Sequence, residues 1–423
     1  MIAITKGGDR LPVTQAELGR RIKTARDACG LTQEQVGVAL GVSRPSVAQM
    51  ELGNRSVSSL ELERLAYLFG RDMREFLTGE FRTDDPLVAL FRAQPDVAAQ
   101  EEVVEALRDC LALGRDVTNL ERQLRIERVG AVASYPLPSP NSKWEAIQQG
   151  NRIADEERRR LGLGSTPIGD IVELFELQGV RTATVRLPDD VSGLTVNDSA
   201  VGVLVVANKE HHYWRRRFSL AHEYGHVLLD RERLSTVSRT ADQDQLIEVR
   251  ANAYAATFLM PEQGVREFLA SLGKGRPARG QAENFHDESF AATVEGRMAP
   301  GSQDLQLYDL AQLAHHFGVS RMSALYRLKN LRLVSQAGFD RLKALEDARR
   351  GADVARLLNL AEPDHLAERS EFAHRVVGLA LEAFRQERIS HAKLYEIAER
   401  VEIGRDAVDQ LLDDGGLSPE RDS

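Results

Sequence analysis

The sequence predicts a multidomain, mainly α-helical protein that contains one α+β domain. The chain has 423 residues, more than the roughly 250 to 300 at which a single hydrophobic core stops growing. Short amphipathic helical stretches separated by turn signals fill residues 15–77, and helical patterns dominate again from 303 to the end. Between them the β-rich runs VRTATVRL, VSGLTV and GVLVVAN, within residues 180–208, predict strands.

Changes of pattern along the chain divide it into four segments. The proline-rich stretch YPLPSPNS at 135–142 marks a boundary, because clustered prolines interrupt helices and strands. The predicted segments are a five-helix bundle at 12–80, a helical linker or dimerisation segment at 84–142, the α+β domain with a helix-turn-helix-like continuation at 143–335, and a helical C-terminal domain without an assigned role at 336–423.

The composition is that of an ordinary globular protein and excludes several classes. No run reaches the roughly 20 apolar residues of a membrane span, and the N-terminus lacks the charged-then-apolar order of a signal peptide. We therefore expect a cytoplasmic protein without a membrane partner. Cys29 and Cys110 match no paired metal or redox spacing. The net charge of −9 argues against indiscriminate coating of nucleic acid but permits a local DNA-binding face.

The N-terminal helices carry start signals in the sequence. Thr32 with Gln35, and Ser58 with Glu61, have the spacing of a capping box, in which each side chain bonds the other's backbone N–H. Ser43 is expected to cap the helix between them. These signals predict short helices joined by tight turns.

Two of these helices have the pattern of a helix-turn-helix, whose second helix lies in the major groove and presents polar side chains to base edges and phosphates. The inward-facing positions are Ala39, Val42, Val47 and Met50. The predicted DNA-binding residues are Gln33, Ser43, Arg44, Ser46, Gln49, Asn54 and Arg55.

Charge limits how this bundle would bind DNA. Residues 12–78 carry nine basic and eight acidic side chains, a net charge of +1, so one copy would gain little affinity from counterion release. A homodimer reading two half-sites of double-stranded DNA is therefore expected. The helical stretch at 86–128 is the candidate dimerisation or spacer element. The alternative is a helical bundle used for protein contacts.

The stretch LTQEQVGVALGVSRPSVAQMELG resembles the XRE-type, λ-repressor-like domains, and the resemblance covers about residues 15–77. It departs from the family at Gly37, where Ala is usual, at a cost of about 1 kcal/mol of helix propensity. The resemblance implies operator binding and a structural ion pair between Arg26 and Glu51.

A second pattern, HEYGH, lies at 222–226 within RRFSLAHEYGHVLLD. Two histidines four residues apart face the same way on a helix, so one metal ion can bind both imidazoles while Glu223 accepts a proton beside it. Chance would give this pattern only about 0.02 times in a chain with so few histidines. His222 and His226 are therefore predicted metal ligands, with Glu223 catalytic.

A third ligand must come from another segment. The positions that would hold Gly and a third His in a metzincin are Leu229 and Glu232. In IEVRANAYAATFLMP, Glu248 shares a helical face with Asn252 and with small alanines that permit close approach. Glu248 is the predicted ligand, and the alternatives are Asp242, Asp244, Glu232 and Glu262.

The combined pattern of VLVVAN, RRRFSLAHEYGHVLL and E-x-x-A-N-x-Y-A-A-x-F-L-M-P resembles the ImmA/IrrE metallopeptidases over about residues 145–335. The resemblance implies a zincin-like domain with Zn²⁺ held by His222, His226 and Glu248, Glu223 as general base, and Asn252 orienting part of the site. Tyr224 stands where the family often has Leu and could alter substrate fit. An extended substrate could pair with the strand at 201–207.

The sequence thus predicts a DNA-binding transcriptional regulator that carries a zinc metalloendopeptidase, which cleaves a partner repressor or itself in response to a signal. The alternative is a ligand- or metal-sensing transcription factor whose zincin-like domain hydrolyses nothing. A role in defence or in a toxin–antitoxin pair would differ only in biological setting. The second helix-turn-helix-like stretch, with Arg321, Arg327 and Lys329, could touch DNA or pack against the peptidase domain.

Overall fold

Helices dominate the protein, and one four-stranded sheet interrupts them. The computed structural model describes residues 13–78, 81, 100–126, 132–198, 201–233, 235–274, 279–285, 291–297, 303–360, 371–401 and 403–415. These residues form 18 α-helices and the predicted α+β region, which confirms the fold class. Within these ranges no helix is long and apolar enough to cross a bilayer.

The N-terminal bundle consists of five helices around one core. They are α1 (Gln15–Ala28), α2 (Gln33–Leu40), α3 (Arg44–Glu51), α4 (Ser59–Leu68) and α5 (Met73–Leu77). Both predicted capping boxes are present. Ser43 occupies the N-cap position but makes no capping bond, because its hydroxyl pairs with that of Ser46 at 3.0 Å. Ala39 is exposed and the adjacent Leu40 is buried, so the inward face of α2 lies one residue later than predicted.

A long helix, α6 (Glu101–Gln123), lies between the other parts of the chain. One apolar stretch, Val103, Leu107 and Leu111, packs on the sheet, and the next, which includes Leu113 and Val117, packs on the C-terminal helices. The described part of its apolar stripe therefore packs within the chain, and its role as a linker or dimerisation segment stays a prediction. The remainder of the predicted 86–128 helix, except 100 and 124–126, lies outside the described residues.

The sheet is formed by β1 (Val180–Val185), β2 (Val191–Asp198), β3 (Gly202–Asn208) and β4 (Ser235–Arg239). Its strand order is β1-β3-β2-β4, with β1 and β3 parallel and the other pairs antiparallel. β3 is central and wholly buried and pairs with a strand on each side, so the prediction that an extended substrate could pair with the strand at 201–207 is wrong. The edges of the sheet are β1 and β4, and β4 lies in a stretch whose polar sequence gave no strand signal.

Helices cover both faces of this sheet. Alternate β3 residues, such as Val203 and Val205, face α9 (Tyr213–Leu229), and the intervening Leu204 and Val206 share a core with α6, as the two-residue period of a strand requires. The other helices of this region are α7 (Lys143–Arg160), α8 (Ile171–Leu177), α10 (Leu246–Leu259) and α11 (Glu262–Ser271).

The remaining elements follow the sheet region. They are the hairpin β5 (Arg279–Phe285) and β6 (Ala291–Arg297), then α12 (Leu307–Phe317), α13 (Arg321–Asn330), α14 (Gln336–Asp347), α15 (Arg350–Leu357), α16 (Glu371–Arg385), α17 (His391–Arg400) and α18 (Arg405–Asp414). In the helix-turn-helix-like pair α12 and α13, Arg327 is buried and donates from Nε to the Met260 carbonyl at 2.9 Å. Arg321 pairs with Glu346. Arg327 thus packs against the sheet region, whereas Arg321 is held by a carboxylate of α14.

Candidate metal centre and nucleic-acid interface

The helices α9 and α10 bring His222, His226 and Glu248 to one point. The two Nε2 atoms lie 3.1 Å apart, and the Glu248 carboxylate oxygens lie 3.1 Å from Nε2 of His222 and 3.3 Å from Nε2 of His226. All three side chains are buried. Across the described ranges this is the one group of three or more His, Cys, Asp or Glu side chains with metal-ligating atoms so close together.

The predicted alternatives to Glu248 lie elsewhere. Asp244 pairs with Lys143 at the surface, and Glu262 pairs with Arg266 on α11. Glu232 is exposed, and Asp242 accepts a bond from the Gln245 amide. The structure therefore gathers the favoured carboxylate and leaves the others outside.

Close helix packing makes this convergence possible. α10 presents the buried small residues Ala251 and Ala255 along the face of Glu248. On α9, a Cβ at Gly225 would come within 3.0 Å of the Tyr254 ring, and on α7 a Cβ at Gly150 would come within 2.4 Å of the Arg250 carbonyl. Side chains larger than hydrogen at these glycines would push α9 and α7 away from α10.

The outer nitrogens of both imidazoles have acceptors. His222 Nδ1 donates to Asn252 Oδ1 at 3.0 Å, and His226 Nδ1 donates to Asp230 Oδ2 at 2.8 Å. A metal ion binds the neutral form of an imidazole, and in that form, with the proton kept on Nδ1, each ring would direct its Nε2 lone pair at the shared point beside Glu248. Two imidazole nitrogens and a carboxylate facing one another are the donor set of a catalytic zinc site, so these residues fit a divalent metal ion.

Burial and hydrogen bonding shift the acidities at this centre. Burial raises the pKa of Glu223. For Glu248 burial acts in the same sense, but bonds from His222 and His226 outweigh it and hold its pKa far below the usual range. Burial alone would lower the pKa of His226, yet its bonds to Asp230 and Glu248 raise the pKa to about 10. The centre therefore favours an ionised Glu248.

The Glu223 side chain faces the sheet beside the metal centre. Its Oε2 accepts from the Thr195 hydroxyl at 2.7 Å, and its Oε1 is buried without a hydrogen-bond partner among the described residues. A Cβ at Gly193 would lie 3.0 Å from that Oε1, so this glycine leaves room for the carboxylate. One oxygen is thus fixed while the other remains available as an acceptor.

Tyr224 points away from the centre. Its hydroxyl donates to Glu157 Oε1 at 2.6 Å, and its ring stacks on Phe175 with 4.2 Å between centroids. The side chain is fully buried. The prediction that Tyr224 could alter substrate fit is therefore wrong, because helical periodicity turns this position into the core.

Sequence reasoning did not identify three polar residues at the centre. Asp230 lies four residues after His226 on the same helical face, a spacing that could have indicated it. Thr195 and Ser238, whose hydroxyl lies 3.1 Å from His222 Nε2, come from β2 and β4. Nothing in the local sequence links these strand positions to the histidines.

The outward face of α3 carries the central part of the predicted DNA-binding set. Arg44 and Gln49 are exposed and Ser46 is half-buried, whereas Val47 and Met50 on the same helix fill the core. Asn54, also exposed, donates from Nδ2 to Gln49 Oε1 at 3.0 Å. A polar surface backed by a packed apolar face is what a groove-binding helix needs.

Two members of the set also have partners within the bundle. Gln33 donates to Glu51 Oε2 at 2.9 Å, and Glu51 also accepts from Arg26 Nε at 2.5 Å, so the ion pair implied by the resemblance is present. Arg55 pairs with Glu61 at 2.7 Å. The charge of Arg55 is therefore partly balanced within the chain.

Two family models match the chain. A helix-turn-helix domain matches residues 17–76, and the IrrE N-terminal-like domain of the M78 peptidases matches residues 176–276. These matches confirm the predicted fusion of an XRE-type domain with an ImmA/IrrE-like domain, and the second includes the whole metal centre. The chain therefore combines a DNA-binding helix-turn-helix domain with a peptidase-type domain. No curated protein matches it.

Proposed function

We propose that the chain is a transcriptional regulator that binds operator DNA through α3 and hydrolyses a protein target at the metal centre. The observation that carries the peptidase part is the meeting of His222, His226 and Glu248 beside the buried Oε1 of Glu223, which accepts no hydrogen bond from the part of the chain that the structure describes. A sensor that only bound metal would need no such acceptor. The alternative, a metal- or ligand-sensing regulator without hydrolysis, leaves this carboxylate without a role.

Zinc is the metal we propose, held by Nε2 of His222, Nε2 of His226 and the Glu248 carboxylate. The nitrogen-rich set suits Zn²⁺ better than Mg²⁺ or Ca²⁺, which prefer oxygen ligands. When bound, zinc supplies the Lewis acidity that peptide hydrolysis at neutral pH requires. Asn252 and Asp230 keep the protons on the outer nitrogens, so that the inner nitrogens remain free to bind.

Glu223 is the proposed general base. Because Thr195 holds Oε2, the other oxygen, Oε1, is free to accept the proton of the attacking water and later to deliver it to the leaving amine. Burial of the carboxylate excludes bulk water from this exchange. The sheet thus positions the proton acceptor while the two helices provide the ligands.

The substrate is proposed to be an extended segment of protein chain. β4 is an edge strand, and its Ser238 hydroxyl lies 3.1 Å from His222 Nε2. An extended peptide that added itself to such an edge would gain backbone hydrogen bonds and pass beside the metal centre. A partner repressor or the chain itself is the proposed target.

DNA binding is proposed to need two copies of the chain. The bundle has a net charge of only +1, so one copy binds phosphates weakly. The described apolar residues of α6 pack within the chain, so a dimer contact through this segment would use its other faces or residues. The role of 84–142 as a linker or dimerisation segment stays a prediction, and 336–423 has no proposed role.

The test of hydrolysis is Glu223→Gln, which keeps the size of the side chain and removes its basicity. Wild-type and variant proteins, each with bound zinc confirmed, are incubated alone and with an unfolded labelled protein, and cleavage is followed by fluorescence and mass spectrometry. We expect the variant to lose about 100- to 10,000-fold in rate while it retains its zinc.

Glu232→Gln is the matched control, because Glu232 is exposed and lies in the loop after α9, and it should cleave at the wild-type rate. Equal cleavage by the Glu223→Gln and wild-type proteins would remove Glu223 from the mechanism. Absence of cleavage by every zinc-loaded protein, on every substrate and on the chain itself, would favour the sensing function.

A further inference from the structure

Asp230 is the last polar residue of a chain of contacts that reaches the metal centre from outside it. Its Oδ2 accepts from Nδ1 of His226 at 2.8 Å, and its Oδ1 accepts from Nη2 of Arg250 at 2.6 Å. Nη1 of Arg250 in turn donates to Oε1 of Gln149 at 3.1 Å. Three helices, α7, α10 and α9, thus contribute to holding one imidazole.

The arrangement leaves the Asp230 carboxylate little freedom. Each oxygen is bonded to a different group, so rotation about its side chain would break a charge-assisted bond on one side or the other. The side chains of Asp230 and Arg250 are 9% and 2% exposed, so water cannot readily replace either bond. A buried pair of this kind contributes geometry more than net stability.

Arg250 connects the two ligand-bearing helices. It lies on α10, two residues after Glu248, while Asp230 ends α9, four residues after His226. The helix that supplies the carboxylate ligand therefore also fixes the group that orients an imidazole on the other helix. A shift of α10 relative to α9 would move the carboxylate and turn the His226 ring together.

We propose that Asp230, anchored by Arg250, is a positioning residue that sets the tautomer and ring orientation of His226 for zinc binding. The inference rests on the proposed function of the centre. His226 differs in this respect from His222, whose outer nitrogen meets the neutral amide oxygen of Asn252. A carboxylate partner also makes the imidazole a stronger donor to a metal ion, so His226 is the more tightly defined of the two ligands.

The test compares Asp230→Ala and Asp230→Asn with the wild-type protein by competition for zinc against a chromophoric chelator. Loss of the partner to a metal-ligating histidine typically weakens metal affinity about 10- to 100-fold, and we expect this of Asp230→Ala. Asp230→Asn keeps an oxygen that can accept from Nδ1, so its zinc affinity should lie between those of Asp230→Ala and the wild-type protein. The visible absorption of the cobalt-substituted variants should shift, because the orientation of the bound imidazole changes.

The control is Glu121→Gln, which breaks another buried arginine–carboxylate pair, between Arg181 on β1 and Glu121 on α6, with side chains 7% and 6% exposed. It should lower the unfolding temperature but keep wild-type zinc affinity and the wild-type cobalt spectrum. If Asp230→Ala does not fold, the closely isosteric Asp230→Asn decides the matter by the same two measurements.

Three outcomes would overturn the inference in different ways. The positioning role alone would be overturned if the wild-type protein binds zinc and both Asp230 variants keep its zinc affinity and its cobalt spectrum. If Glu121→Gln weakened zinc binding as much as Asp230→Ala, the loss would reflect general destabilisation, and the positioning role would again be overturned. A wild-type protein that binds no zinc would overturn the proposed function together with the inference.

Discussion

The metal centre and the DNA-binding face differ in where their partners lie. At the centre, His222, His226 and Glu248 are buried and bonded to one another and to neighbouring side chains. On α3, Arg44 and Gln49 project from the bundle, and the groups they are proposed to bind belong to DNA. The side chains of the centre are therefore held by one another, whereas those of the DNA face are exposed to a partner outside the chain.

This difference fits the two tasks. Catalysis requires ligands and a base held to within a fraction of an ångström, which buried hydrogen-bonded side chains provide. Recognition of a groove tolerates mobile side chains, since phosphate contacts fix the register and base contacts add specificity. α6 contacts both regions: Asp109 accepts from the Tyr67 hydroxyl of the bundle at 2.8 Å, and Leu107 packs on the sheet. Variants of the ligand Glu248 and of Arg44 are therefore measured for both zinc and operator binding.

The largest effect is expected from Glu248→Ala, which tests whether the buried centre is a single unit. Zinc affinity should fall about a thousandfold, because roughly 12 kcal/mol of binding shared among the three protein ligands gives about 4 kcal/mol for each. Hydrolysis should be lost with the metal, and operator affinity should stay within twofold of wild type. Zinc titration and a gel-shift assay measure the two quantities.

Glu262→Ala is the matched control, since Glu262 is exposed and pairs with Arg266 on α11, and it should keep the wild-type zinc affinity. Undiminished zinc binding by Glu248→Ala would show that a different group completes the centre. A parallel loss of operator binding would show that the two regions are not independent.

The core of the metal centre could be predicted because its signals are local. The four-residue spacing of HEYGH places both histidines on one face of a helix, and the same periodicity singled out Glu248 and Asn252 on the next helix. The structure brings these side chains together, while zinc binding itself stays a prediction. Thr195 and Ser238 could not be predicted, because strand pairing across the sheet places them there and one sequence does not encode register visibly.

In the fold, too, features set by local sequence were predicted and features set by long-range pairing were not. Capping boxes depend on residues three apart, and both predicted boxes are present. The prediction that a substrate pairs with β3 was wrong because the order of strands in a sheet depends on long-range pairing. The strand β4 was not predicted because STVSR has little apolar alternation. The prediction about Tyr224 was wrong because it compared this residue with the family's usual Leu and took no account of the face of α9 on which the side chain lies.

Gly193→Ala should have the next largest effect, and it tests how far the centre depends on the strand behind it. The added Cβ would meet the Val206 carbonyl at 2.7 Å and Glu223 Oε1 at 3.0 Å, so the strand and the carboxylate must shift. Hydrolysis should fall about a hundredfold, as for a 1 Å misplacement of a catalytic group, and the free energy of unfolding should fall by about 1 to 3 kcal/mol.

Zinc affinity should change little in Gly193→Ala, because the ligands belong to α9 and α10 rather than to β2. Gly169→Ala is the matched control: a Cβ there meets nothing within 4 Å, and both rate and stability should remain near wild type. Full activity of Gly193→Ala would mean that Glu223 needs no fixed position.

Arg44→Ala should have the smallest effect, and it tests the exposed region. A single arginine contact at the start of a recognition helix contributes about 1 to 2 kcal/mol, so operator affinity should fall about tenfold, with a relaxed preference at one base pair and unchanged zinc binding. Gel shifts over a set of operator variants measure this.

Arg20, whose side chain is 74% exposed on α1, provides the control, because Arg20→Ala removes the same charge away from α3. If both variants weakened binding equally on all sequences, Arg44 would act only as a positive charge, and base recognition would have to come from Ser46 and Gln49.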